Sequence, residues 1–351
     1  MKSAQVAVVP FGLGIGDLVN MRPLVNIIRA HYPDRTMGVV APKELAWLLP
    51  HGTHPLTDAR GLSAWKRPSP DDLFSRIVGR LTVGQISPLV RALPVSALAR
   101  GLDADLRARG HSVVVNLLGD FAALNLDKHW TLGPSNEERS HVIDLLTASL
   151  RARGMAVDSG TLKPGLTLPR RRPLNAPAII LYPAAGSTLK EAPIGLWEVV
   201  ARELVRAGLR PLLLTAPGRD LSQRVFHRVP GCVLLSSTDL PMVASWIAGA
   251  DMFISPDTGL LHIAAAVGVP FIGLFGSTDP RFTGPYPGHA GLIVETPARH
   301  REVCRSCWTA QILPIARCPI YGPETCLGSI EPEAVLDAIW RLTATAVKAS
   351  L

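Results

Sequence analysis

Short apolar runs alternate along the chain with longer stretches in which apolar positions recur every three or four residues, and glycine or proline stands between them. The first cycle is the run QVAVVPF (5–11), the turn GLGIGD, the helical pattern LVNMRPLVNIIRAHYP (18–33) and the run TMGVVAP (36–42). That is a strand, helix and parallel strand. Residues 60–110 are helical in pattern but broken by Pro and Gly. HSVVVNLLG (111–119) then reads as a strand and 138–154 as a helix.

Residues 155–177 carry turn formers and four prolines and read as a linker, after which the alternation restarts. Strands are expected at 178–184, 209–218, 231–237, 251–257 and 269–276, with helices at 195–208, 239–250 and 259–268, and a final helix at 331–349. The pattern predicts an α/β protein of two doubly wound units, 1–154 and 178–330, with a last helix over 331–351. A crevice between two such sheets, at strand carboxyl ends, is the expected ligand site.

Composition narrows the partners. With 351 residues, 47% of them hydrophobic and 18% charged, the chain is long enough for two cores and is expected to fold nearly throughout. The net charge of +8 suits an anion: nucleic acid, an anionic membrane surface or a phosphorylated small molecule. Aromatics at 5% and no basic stretch interleaved with them make nucleic acid the weakest of the three. The N-terminus has no signal-peptide pattern and no apolar run approaches the roughly 18 residues that span a bilayer, so a cytoplasmic protein is expected.

Three loops at strand ends could carry chemistry. Glycines 12, 14 and 16 follow the first strand with the spacing G-x-G-x-G, which is not the dinucleotide fingerprint. Asp17 falls in the first helical turn, either as a cap favoured by the dipole or as a carboxylate projecting into the crevice. YPAAGSTLKEAP (182–193) offers Ser187, Thr188 and Lys190, which make either a pyrophosphate cradle or an ordinary solvated loop. In SPDTGLLH (255–262), Asp257, Thr258 and Gly259 join a strand to a helix whose free N–H groups suit an anion. His262 reads either as a core histidine or as part of that site.

Cys304, Cys307, Cys318 and Cys326 make C-x2-C-x10-C-x7-C, a spacing able to place four thiolates around one zinc or iron ion. The other reading is reduced, buried cysteines. A structural metal is the expectation carried forward. Cys232, in a strand, reads as core.

GIGDLVNMRPL, YPAAGSTLKEAP with Trp197, SPDTGLLHIAAAVGVPFIGLFGSTDP with GPY at 284–286, and the cysteine segment ending in IEPEAVLDAI occur in that order. Together they resemble the ADP-heptose:lipopolysaccharide heptosyltransferases, glycosyltransferase family 9, over nearly the whole chain except about 50–110. The resemblance implies a GT-B fold: two Rossmann-like domains facing across a cleft, the last helix packing back on the first.

It also implies an inverting transferase that needs no catalytic metal. Gly14, Gly16 and Asp17 would stand on the acceptor side, with Asp17 as the general base. Ser187, Thr188, Lys190, Asp257, Thr258, Gly259 and His262 would hold the donor, with Lys190 stabilising the departing diphosphate. The sequence departs from the family at Ala192, where an aromatic is common, and at Asn116, where an acid is common. Asp220 is the only acid near the place expected for a ribose ligand, slightly displaced.

The implied donor is ADP-heptose or another nucleotide sugar. The implied acceptor is lipopolysaccharide core, another glycoconjugate or a natural product, reached by peripheral contact with an anionic membrane, with 50–110 shaping the acceptor site. A GT-B nucleotide-sugar 2-epimerase would want further acids in the crevice, and a non-catalytic binding module would not need Asp17.

Overall fold

The computed structural model describes residues 6–57, 88–120, 140–173, 177–218, 220–297 and 326–349, with backbone alone for 88–97 and 345–349. The chain divides into two α/β units, the first comprising Met1–Gly165 together with Arg281–Tyr286, and the second beginning at Leu166.

In the first unit, strands β1 (Val6–Val9), β2 (Met37–Val40), β3 (Thr53–Leu56) and β4 (Val113–Asn116) form a parallel sheet in the order β3-β2-β1-β4. All four residues of β1 and of β2 are buried, the signature of strands covered on both faces. Helix α1 (Ile15–His31) turns Met21, Leu24, Val25 and Ile28 into one core with Val6, Val8 and Val115. Helix α2 (Pro88–Ala108) buries Ala99, Leu102 and Leu106 against Ala7 and Val9 on the opposite face. Helix α3 (Val142–Ala152) adds Ile143, Leu146 and Leu150 to the α1 side.

Phe282 joins that same core from far along the chain. Two hydrogen bonds fix its neighbours: His141 Nε2 lies 2.9 Å from the Gly284 carbonyl, and the Tyr286 hydroxyl donates to Asp144 at 2.8 Å. Burial, and after it the bond to Asp144, pushes the Tyr286 phenol up to about 12.

The second unit has six parallel strands: β5 (Ile179–Leu181), β6 (Leu212–Leu214), β7 (Val233–Leu235), β8 (Met252–Pro256), β9 (Phe271–Phe275) and β10 (Gly291–Glu295). Their order is β10-β9-β8-β5-β6-β7. Read from β7 this is the doubly wound order 3-2-1-4-5-6, which reverses between β5 and β8. The helices of the unit are α4 (Ile194–Arg206), α5 (Leu221–Arg228), α6 (Leu240–Ala248), α7 (Gly259–Ala266) and α8 (Pro332–Ala349). In α4, Leu196, Trp197, Val200, Ala201 and Leu204 follow helical spacing into the core.

Four differences from the sequence reading have physical causes. Strand β3 was hidden by Pro55, which a sheet tolerates at its edge, where β3 lies. Edge strand β10 begins at Gly291, whose missing side chain makes room for the Phe271 ring: an added Cβ would lie 2.3 Å from it. Helix α1 starts at Ile15, so Gly16 is helical rather than part of the turn. The last helix, expected against the first unit, instead packs on α4, β9 and β10, with Val335 and Ile339 buried among Trp197 and Leu274.

The proline-rich stretch is tied down on both sides of residue 165. Met155 and Leu162 enter the first core, whereas the Leu166 and Arg171 amides donate to the Ala266 and Ser245 carbonyls. At Gly249 a Cβ would lie 2.4 Å from the Arg171 carbonyl oxygen, so only glycine lets that segment pass. Among the described residues no helix is long and apolar enough to cross a membrane.

Ile339→Ala should empty a packed position under α8 and lower stability by about 2–5 kcal/mol in urea unfolding. A loss below about 1 kcal/mol would contradict the placement of α8.

Candidate functional site

Each sheet reverses its strand order at one point, and polar side chains gather at the carboxyl ends of the strands there. In the first unit that point lies between β1 and β4, paired in register from Val6 with Val113 to Val9 with Asn116. Beyond Val9 the chain runs through Gly12 and Gly14 into α1. The Asp17 carboxylate folds back over this loop, and its Oδ2 accepts the Gly14 N–H at 2.9 Å.

This contact explains the glycines. A Cβ at Gly12 would sit 2.3 Å from Asp17 Oδ2, and one at Gly14 2.9 Å from it. The turn is therefore shaped around a carboxylate, which is half-buried at the start of a helix. Asn116, opposite Val9, is occupied structurally. Its amide donates to the Ala99 carbonyl at 2.7 Å, and its Oδ1 accepts the Gly119 N–H at 3.0 Å.

In the second unit the reversal lies between β5 and β8, and the loops after these strands bring two distant side chains together. Lys190 Nζ lies 2.6 Å from Asp257 Oδ2. Lys190 is placed by a single helical turn (Thr188–Lys190) that Ser187 caps, its Oγ accepting the Leu189 N–H at 3.3 Å. Asp257 follows β8 directly, anchored by its amide on the Leu274 carbonyl at 3.1 Å. From α7, His262 Nε2 approaches Asp257 Oδ1 at 3.7 Å. The three side chains are between 5% and 15% exposed, so the cluster is largely withdrawn from water.

Burial alone would push the Asp257 carboxyl up. The Lys190 ammonium and the His262 ring outweigh it and hold the group well below the usual carboxylate range.

Thr258 caps α7: its Oγ1 accepts the Leu261 N–H at 3.3 Å and lies 3.3 Å from Ser255 Oγ. The capping bond uses the Leu261 amide. The helix entrance at Gly259 thus faces the end of the strand with its first amides ahead of that bond, beside the Lys190 ammonium. N–H dipoles and a cation at one strand end can receive an anion.

The expected donor residues Ser187, Lys190, Asp257 and Thr258 on the loops, with Gly259 and His262 in the first turn of α7, therefore lie at one reversal point. Thr188 is exposed on the same turn. Asp220 is exposed at the start of α5, without a side-chain capping bond. The sequence reading left Ser277, Thr278 and Asp279 unassigned, although they form a buried polar run at the carboxyl end of β9. Three polar residues straight after an apolar strand were the available signal. Cys232 is buried, and burial pushes its thiol up to about 11. Of the cysteine quartet, Cys326 lies against Gly276, while Cys304, Cys307 and Cys318 fall outside the described residues. Among the described residues no group of metal-ligating side chains gathers.

Lys190→Met should leave Asp257 buried without its cation and cost roughly 3–5 kcal/mol in denaturant unfolding at pH 7. Adding Asp257→Asn should restore part of that loss. The sign with pH follows from the lowered carboxyl. Its contribution is present above the unfolded value of about 4 and fades as pH falls toward the folded value, so acid should narrow the gap between wild type and the double variant. An unchanged midpoint in Lys190→Met would contradict the pair.

Comparison with known proteins meets this geometry. The model of glycosyltransferase family 9 (heptosyltransferase) matches residues 137–309. Lipopolysaccharide heptosyltransferase 1 of Pseudomonas aeruginosa is 32% identical over 113 residues. The aligned stretch is 32% of this chain and 32% of that relative, so the match spans about a third of the relative's length. A family 9 glycosyl transferase from Veillonella parvula superposes with a TM-score of 0.60 at 17% identity, over 96% of both chains. The E. coli heptosyltransferase WaaC with ADP gives 0.57 at 17%, over 96% of this chain and 99% of that one. The last two show the same two-sheet α/β fold. By the family match residues 137–309 belong to glycosyltransferase family 9, the heptosyltransferases, and the chain as a whole has the fold of the family's solved members.

Proposed function

We propose that the protein is an inverting glycosyltransferase that moves a heptose from ADP-heptose to a hydroxyl of the lipopolysaccharide core. The observation that carries this reading is the buried Lys190–Asp257 pair beside the α7 N-terminus, at the reversal point of the second sheet. A fixed cation and oriented N–H groups are what a departing diphosphate needs. The relatives named above support heptose as the sugar, and the ADP-bound neighbour supports the nucleotide.

In this reading the acceptor hydroxyl gives its proton to Asp17 as its oxygen attacks the anomeric carbon. The bond to the diphosphate breaks on the opposite side and the leaving group keeps the electron pair. The Lys190 ammonium and the Thr258 and Gly259 amides take up that charge, while Asp257 and Ser187 hold the donor in place. The first unit binds the acceptor, and the second binds the nucleotide sugar. The enzyme works in the cytoplasm, and its positive charge brings it to an anionic leaflet. Catalysis uses no metal. A zinc or iron ion on Cys304, Cys307, Cys318 and Cys326 would have a structural role, with Cys326 at the Gly276 turn as its described ligand.

Two measurements test this. With ADP-heptose and heptose-deficient lipopolysaccharide, wild type should release ADP only when acceptor is present. Asp17→Asn should lower that rate by about 10²–10⁴-fold while donor binding persists. Full activity in the variant would remove Asp17 as the base, and acceptor-independent behaviour would remove the transferase. Elemental analysis of the purified protein should find close to one zinc or iron per chain, reduced in Cys326→Ser. Background levels would remove the metal.

A further inference from the structure

Asp257 carries the only negative charge among the three buried side chains of the donor cluster, and two basic groups bracket it. Lys190 Nζ is at Oδ2, 2.6 Å away, and His262 Nε2 is at Oδ1, 3.7 Å away. Among the described residues, the elements packed most closely on α7 add no titratable side chain: α6, β8 and β9 have none over Leu240–Ala248, Met252–Pro256 and Phe271–Phe275. Glu191 next to Lys190 accepts the Ala185 N–H at 3.2 Å, Asp251 lies at the far end of β8 beside Arg172, and Asp279 is buried after β9.

The His262 ring has one further property. Its Nδ1 is buried without a hydrogen-bond partner. With Nε2 turned toward a carboxylate, the arrangement fits the neutral tautomer with its hydrogen on Nε2. A proton can then be added at Nδ1 without breaking any existing bond. What opposes it is burial of a second positive charge beside Lys190.

Donor binding removes that opposition. A diphosphate arriving at the strand end competes with Asp257 for the same ammonium. As Lys190 turns to the phosphates, the carboxylate keeps its burial and loses its nearest counter-charge. Among the described residues the group placed to replace that charge is His262, at Asp257 Oδ1. Resting on the donor reading of this site, we propose that binding of the nucleotide sugar is proton-linked: one proton from solvent adds to Nδ1 of His262 as Lys190 passes from Asp257 to the diphosphate. His262 is then a positioning residue that acts through Asp257 and keeps its carboxylate ionised and in place.

The linkage has a fixed sign. Binding that takes up a proton weakens as pH rises, by up to about tenfold per pH unit where uptake is complete. The probe is ADP-heptose without acceptor, because a diphosphate diester, unlike ADP, has no proton of its own to exchange near neutrality. Its binding heat is measured calorimetrically at pH 7 in buffers of different ionisation enthalpy.

The expected result is a heat that varies between buffers, corresponding to an uptake approaching one proton, and an affinity that falls with pH. In His262→Gln, which can still donate to Asp257 but cannot titrate, the heat should become independent of buffer and the pH dependence should flatten. Binding by wild type with equal heats in all buffers would overturn the linkage and leave the donor reading standing. Equal uptake in His262→Gln would move the proton elsewhere and overturn the role of His262. No binding of ADP-heptose or of UDP- and GDP-sugars would overturn the donor reading and the linkage together. The wild-type measurement decides even if the variant does not fold.

Discussion

A carboxylate at the end of a buried strand cannot stand alone. Asp257 follows β8, whose five residues are all buried, and it is itself nearly closed to water. Left unpaired it would take a proton or open the fold. Lys190 prevents both, and that requirement organises the second unit. The loop after β5 must bend so that an ammonium reaches β8, which sets Ser187 as a cap and makes Thr188–Lys190 a single tight turn. Strands β5 and β8 are neighbours where the strand order reverses, so the chain leaves them toward opposite faces of the sheet. The charges that the proposed donor site would use are the ones that keep this part of the fold closed.

The first unit solves the opposite problem. Its carboxylate accepts a backbone hydrogen bond, the Gly14 N–H on Asp17 Oδ2. In the second unit the buried Asp257 is held ionised by its Lys190 and His262 neighbours, well below the usual carboxylate range. The two acids therefore stand in different environments, one on a backbone amide and one on a buried ammonium. Gly12 and Gly14 matter because they leave room for the Asp17 side chain, and this differs from the role of glycines that admit a phosphate to the backbone.

Much of this was legible in the sequence where a run of residues carries the information locally. Strands β1, β5 and β9 are continuous apolar runs, and α1 and α4 follow β1 and β5 at the spacing of parallel units. The edge strands were not legible, since Pro55 in β3 and Gly291 in β10 are residues that strand patterns discount. Lys190 and Asp257 were both singled out, but not as partners. They are 67 positions apart, and only the sheet order makes them neighbours. The direction of the last helix was also beyond reach, because Val335 and Ile339 would suit any apolar surface.

Phe282, Gly284 and Tyr286 have a consequence for how the chain is made. They complete the core and caps of a unit whose other described residues end at Gly165. During synthesis the ribosome must therefore extend the chain by more than a hundred residues before the first unit has all its parts. Until then the sites on His141 and Asp144 wait without their partners from this segment. The amino-terminal part of the chain thus lacks one core side chain and two hydrogen-bond partners of its own unit until residues 282–286 have been made.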